Sequence, residues 1–303
     1  MDLGALLREI VQELEAERGC GEVARYIPPL ARVDPRQFGM ALVECDGTCH
    51  VAGDAMTRFS IQSISKVFSL TLAMQHVRDD LWLRVGREPS GTRFNSLVQL
   101  EHERGIPRNP FINAGALVVT DMILECLADA KQTLLDLVRQ LSGAMDAAFA
   151  EDVAQEEAAT GHINRAMAWF MKGLGNLKGD PDAVLDAYFH HCSLSLSCLE
   201  LARAGLYLAR RGNALDGTCV LSPRATQRIN AMMLTCGAYD AVGDFAYRVG
   251  LPAKSGVGGG ILAVLPGHYS VCVWSPGLDA AGNSMLGIRA LERLTERTGL
   301  SVF

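Results

Sequence analysis

Ser63 and Lys66 stand three residues apart where a polar run gives way to an apolar one, in Phe59-Ser60-Ile61-Gln62-Ser63-Ile64-Ser65-Lys66-Val67-Phe68-Ser69-Leu70. The pattern predicts a helix from Ser65 to about Met74, with Ser63 at its first turn and both side chains on one face. A hydroxyl within reach of an amine is a nucleophile beside its base. The helix N-terminus adds unpaired N–H groups and a positive dipole end, both suited to a developing oxyanion. A serine near a helix start can equally be a simple cap. Composition weighs on the side of chemistry: of 28 Lys and Arg residues, only Lys66, Lys131, Lys172, Lys178 and Lys254 are lysines. Arginine keeps its proton in a protein, whereas a desolvated lysine can give it up. A lysine retained inside an apolar helix of an arginine-rich chain is therefore a candidate base.

Three further stretches carry polar chemistry. Lys254-Ser255-Gly256-Val257-Gly258-Gly259-Gly260 follows a short apolar strand. Its glycines allow a ligand or another backbone to approach closely, and its N–H groups can aim at an anion. A phosphate loop would end in Gly-Lys-Ser/Thr and open a helix; a strand follows here, so nucleotide binding is discounted. Asn109-Pro110-Phe111-Ile112-Asn113-Ala114-Gly115-Ala116 is a polar elbow entering a helix, with Asn113 either its N-cap or a site residue. Glu157 and Asn164 bracket Gly161-His162 in an otherwise apolar region, where an isolated Glu is more often solvated. Tyr188 and Tyr239 fit core rings with satisfied hydroxyls.

These residues need a scaffold, and the chain supplies elements at both ends. An amphipathic helix is expected over 2–18, closed by Gly19 and Gly21, then an extended Tyr26-Ile27-Pro28-Pro29-Leu30 that cannot be helical at its prolines. Strands are expected at 38–44 and 48–52 around the hairpin signal Asp46-Gly47. From 76 to 216 the pattern is helical, with helices near 114–129, 132–141, 145–157, 162–173, 181–190 and 197–211. Ser197 and Glu200 form a capping box, and Ser222-Pro223 opens another helix ending at Gly237. Strands at 253–255, 258–265 and 268–275 precede a closing helix over 283–298. The expected fold is α+β: one antiparallel sheet flanked by helices, drawn from 1–75 and 217–303, with 76–216 inserted as an all-helical subdomain.

Net charge −6 and the lack of a Lys/Arg run argue against a nucleic-acid surface, and no apolar run reaches membrane-spanning length. The N-terminus does not read as a secretory signal. The nine cysteines are odd in number and scattered, without Cys-x-x-Cys or zinc-site spacing. They point to reduced thiols in the cytoplasm and to no metal site.

Ser63-Ile64-Ser65-Lys66 together with Lys254-Ser255-Gly256 resembles the paired motifs of the serine β-lactamase and penicillin-binding superfamily. Five blocks are similar, in order, to those of the bacterial glutaminases of that fold: Tyr26-Ile27-Pro28; 62–66; 95–100; 108–116; and 250–261. The resemblance implies a β-lactamase-like fold and a glutamine amidohydrolase yielding glutamate and ammonia. It implies Ser63 as nucleophile, Lys66 as general base, and Tyr26 and Tyr239 as proton relays. Asn113, Glu157, Asn164 and Tyr188 would hold the amino-acid end of the substrate, with Glu157 on the α-ammonium. The Val257 N–H would complete the oxyanion hole with that of Ser63, and Lys254 would lend support. No metal or organic cofactor is implied; the partners would be L-glutamine and other copies of the chain, as dimers or tetramers. A β-lactam hydrolase or a silent amino-acid sensor are the rival expectations.

Overall fold

The computed structural model describes residues 2–91 and 96–303, so the Asn95 end of the 95–100 block lies outside the described residues. The chain opens with α1 (Leu3–Glu13), capped by Asp2 through the Ala5 N–H, and α2 (Pro28–Ala31). Strands β1 (Gly39–Glu44), β2 (Cys49–Gly53) and β3 (Phe59–Ser60) lead to α3 (Ser65–His76). Then follow α4 (Leu97–His102), α5 (Asn113–Cys126), α6 (Ala130–Ser142), β4 (Ala148–Phe149), α7 (Glu151–Thr160) and α8 (His162–Gly173). After α9 (Pro181–Cys192), β5 (Leu194–Leu196) and α10 (Cys198–Ala209) come α11 (Pro223–Cys236) and α12 (Val242–Arg248). Strands β6 (Ala253–Ser255), β7 (Gly260–Leu265) and β8 (Tyr269–Trp274) precede α13 (Met285–Thr298).

The main sheet runs β2-β1-β8-β7-β6, antiparallel throughout. Its central pairing joins the two ends of the chain, with Ala41 opposite Cys272. Because side chains alternate along a strand, Met40 and Leu42 pack with α1 and α13, while Ala41 and Val43 join the core that includes α3 and α10. This is the α+β arrangement expected, an antiparallel sheet flanked by helices. Within the stretch 76–216, α10 packs directly on β1, β7 and β8, so one cover of the sheet comes from the middle of the chain.

Three local expectations are corrected. Pro28 and Pro29 occupy the first two positions of α2, where a missing N–H costs nothing, so these prolines start a helical turn rather than forbid one. The helix expected at 145–157 is instead β4 followed by α7, because Ala148 and Phe149 pair with Ser195 and Leu194. Asn113 is the first residue of α5 and does not cap it; Ile112 holds the cap position without a side-chain bond. The small sheet β3-β5-β4 was not expected at all: two- and three-residue strands are too short to leave a periodic signal. The capping box of Ser197 with Glu200, and Ser222 capping α11 ahead of Pro223, occur as expected.

Candidate active site

From Ser65 to Met74 every residue of α3 is buried, so this helix is covered on all sides and lies inside the protein. Two of its hydroxyls bond along its own backbone, Ser69 donating to the Lys66 carbonyl and Thr71 to that of Val67. Ser63 sits just before it in a 3-10 turn, Gln62–Ile64. Gln62 has φ 50°, a left-handed conformation that costs a side-chain-bearing residue on the order of 1 kcal/mol or more.

Lys66 is 1 % exposed, and its Nζ donates to Asn113 Oδ1 at 2.7 Å and to the Phe111 carbonyl at 3.2 Å. Asn113 Nδ2 in turn donates to Asn164 Oδ1 at 3.0 Å. Burial lowers the Lys66 pKa to about 8, against a smaller upward pull from Cys192 and Glu157. A neutral lysine has two N–H groups and one lone pair. Both N–H groups are then used by Asn113 and Phe111, and the lone pair is left for a proton.

Lys254 is fully buried beneath the site, donating to the carbonyls of Gly237 (3.0 Å) and Ser255 (2.8 Å), with its Nζ 4.5 Å from the centre of the Tyr239 ring. Burial, reinforced by Lys66, depresses its pKa well below the ordinary lysine value. Burial pushes the Tyr239 phenol well up, partly offset by the neighbouring polar groups of Ser63, Ser255 and Val257. Tyr239 is the second strained residue here, at φ 51°.

The glycines after Ser255 let two backbones touch. A Cβ on Gly256 would lie 2.5 Å from the Ile61 carbonyl oxygen, and one on Gly258 only 2.3 Å from that of Ser60. Trp274 Nε1 donates to the Gly258 carbonyl at 2.9 Å and anchors this strap. Val257 is thereby drawn alongside the turn that carries Ser63.

Above the pair lies a cavity of about 330 Å³, lined by Tyr26, Gln62, Ser63, Asn113, Glu157, Asn164, Tyr188, Cys192 and Val257 among others. Glu157 is 7 % exposed, and burial raises its pKa against hydrogen bonds from Tyr26 and Gln62. Tyr26 donates to Glu157 Oε1 at 2.6 Å. Its ring is half exposed at the mouth while its hydroxyl points inward. Seven of the ten residues singled out in the sequence line this one cavity; Lys66, Tyr239 and Lys254 are buried at its base. Two neighbours were not singled out. Gln62 bridges Tyr26 and Ser60 (3.4 and 3.1 Å), and adjacency to Ser63 was its only signal. Cys192, its thiol pushed up to about 12 by burial, shares a face of α9 with Tyr188 at a four-residue spacing that could have flagged it. Among the described residues no cluster of three His, Cys, Asp or Glu side chains is arranged to hold a metal, and no helix is long and apolar enough to cross a membrane.

Fold and site together define a β-lactamase-like α+β protein with a Ser-x-x-Lys turn under a polar, amino-acid-sized cavity. The glutaminase family model matches residues 21–303. A glutaminase of Rhizobium etli is 58 % identical over all of this chain and 99 % of its own length, and a thermolabile glutaminase of the same species is 57 % identical with the same coverage. Among solved structures, a Bacillus glutaminase superposes with TM-score 0.90 at 32 % identity over both whole chains. A probable glutaminase of Bacillus subtilis complexed with 6-diazo-5-oxo-L-norleucine gives 0.89 at 31 % identity, covering 100 % of this chain and 98 % of the other. The chain belongs to the glutaminase family.

Proposed function

We propose that the cavity binds L-glutamine and that Ser63 hydrolyses its side-chain amide to L-glutamate and ammonia through an acyl-enzyme. The observation that carries this reading is the hydrogen-bonded buried amine of Lys66, one turn from Ser63 under the cavity. In this mechanism the neutral Lys66 takes the Ser63 proton as Oγ attacks the amide carbon. The N–H groups of Ser63 and Val257 receive the oxyanion. Proton relay through Tyr239, with Tyr26 beyond it, lets nitrogen leave as ammonia, and water then releases glutamate from Ser63. Lys254 is kept from the reaction by its two carbonyl partners and supports the Tyr239 ring from below.

At the other end, Glu157 pairs the α-ammonium, while Asn113, Asn164 and Tyr188 supply polar contacts to the α-carboxylate. Glu157→Gln removes the charge partner of a buried cation, which costs about 2–5 kcal/mol. KM for glutamine should rise by roughly 30-fold or more at nearly constant kcat. Steady-state kinetics over a range of glutamine that reaches saturation checks this, and an unchanged KM would refute the pairing.

The direct test is ammonia release from L-glutamine and L-asparagine beside opening of a chromogenic β-lactam. Release from glutamine is expected, with asparagine much slower because its amide falls one methylene short of Ser63. Acylation by the β-lactam without glutamine turnover would favour the lactam-hydrolase reading, and tight glutamine binding without turnover a sensor. We also read the chain as cytoplasmic, since all nine cysteines are free thiols. It is read as a homo-oligomer, dimer or tetramer, since Ile163, Trp169 and Leu174 leave an apolar surface around α8.

A further inference from the structure

Asn109 precedes Pro110, and a proline disfavours helix in the residue before it and brings no N–H of its own. An Asn in that place can fold its side chain onto the N–H groups that come next, an Asx turn. Asn109 does so. It is buried, and its Oδ1 accepts from the Phe111 N–H at 3.0 Å and the Ile112 N–H at 3.1 Å. Its Nδ2 donates to the Glu88 carbonyl at 2.9 Å. A carbonyl only accepts, so the NH₂ must face Glu88 and the amide oxygen must face the two N–H groups. The Glu88 segment is bonded to the elbow as well, the Gly86 N–H to the Pro107 carbonyl at 2.7 Å and the Glu88 N–H to that of Arg108 at 2.9 Å. From the other side α5 leaves no slack: a Cβ on Gly115 would lie 1.9 Å from the Asn109 carbonyl oxygen.

The elbow so held offers two acceptors to one amine. The Phe111 carbonyl takes an N–H of Lys66 at 3.2 Å, and Asn113 Oδ1 takes another at 2.7 Å. Together they set how the amine is turned about its last carbon–nitrogen bond, and with that where its lone pair aims. The peptide between Phe111 and Ile112 is gripped at both ends, its N–H by Asn109 and its carbonyl by Lys66. A peptide unit is planar, so fixing the N–H fixes the carbonyl. We infer that Asn109 is a positioning residue for the Lys66 amine: its amide oxygen sets the rotation of the Phe111–Ile112 peptide, whose carbonyl, with Asn113, turns the Lys66 lone pair toward Ser63. Asn109 itself meets neither substrate nor Ser63 and acts only through Lys66. The inference rests on the reading of Lys66 as the base.

Without the Asn109 side chain the peptide is free to rotate and the amine loses a fixed acceptor. Asn109→Ala should lower kcat for L-glutamine about 10- to 100-fold while KM changes less than about threefold. The ascending limb of its pH profile should also move down by about half a unit or more, because a missing acceptor costs the ammonium more than the neutral amine. The titratable groups facing Lys66, namely Glu157, Cys192, Tyr188 and Lys254, are unchanged in the variant, so the moved limb reports the acceptors. Asn109→Ser, whose hydroxyl accepts from the same N–H groups more weakly, should lose only about three- to tenfold in kcat. The double variant Lys66→Met/Asn109→Ala should be no slower than Lys66→Met alone, because Asn109 has no other route to the reaction. Initial-rate kinetics across pH measures each variant, with calorimetric titration of L-glutamate to count competent sites. A kcat within twofold of wild type in Asn109→Ala, a limb that stays in place, or multiplicative losses in the double variant overturns the inference. If Asn109→Ala does not fold, Asn109→Ser decides: kcat within twofold of wild type with an unmoved limb overturns it. An ascending limb that survives in Lys66→Met would instead remove the base assignment beneath it, a separate result read in a separate variant.

Discussion

Ser63→Ala lowers kcat for glutamine hydrolysis by at least about 10³-fold while leaving the melting temperature within a few degrees of wild type. The change deletes one oxygen at the floor of an existing cavity, so no packing is lost that the fold depends on. The proposed binding groups, Glu157, Asn113, Asn164 and Tyr188, all cavity-lining, are untouched, and calorimetric affinity for L-glutamate should persist. Loss of activity with retained product binding is the signature of a missing nucleophile. Ammonia release near the wild-type rate would mean that water attacks directly, and the acyl-enzyme would have to be abandoned.

Lys66→Met is the second large effect. A methionine fills the buried channel without a proton acceptor, and removal of a general base costs about 10²- to 10⁴-fold in kcat. The wild-type pH profile tests the same assignment with a defined sign. Burial lowers the Lys66 pKa to about 8, and only the neutral amine can take the Ser63 proton. Kcat/KM should therefore climb about tenfold per pH unit below 8 and level off above it. That ascending limb should vanish from the residual activity of Lys66→Met. A limb that persists unchanged in the variant would assign it to another group.

The parts of this site legible in the sequence were those written in residue type and order. The scarcity of lysine marked Lys66, and the glycines after Ser255 marked a close backbone approach, found against Ser60 and Ile61. The sheet was legible because β1, β7 and β8 are apolar runs bounded by turn residues. What stayed hidden depends on tertiary contact. Asn113 reads as a cap because local hydrogen bonding is the usual fate of an asparagine at a helix start; here its oxygen is taken by Lys66 from another helix. Glu157 reads as solvated because nothing nearby in sequence foretells Tyr26 as its partner.

The pairing of β1 with β8 has a kinetic consequence. Ala41 finds Cys272 only after nearly the whole chain has been synthesised, so the middle rung of the sheet is among the most non-local contacts the fold contains. Closing such a loop is slow compared with helix formation. Until β8 docks, the β1–β2 hairpin presents an open apolar edge that could pair with another chain. Ser63 and Lys66 can meet early, within one turn, but the strap that brings Val257 to them hangs on β7, which pairs with β8. The nascent chain thus lacks the proposed oxyanion site until its last strand is in place.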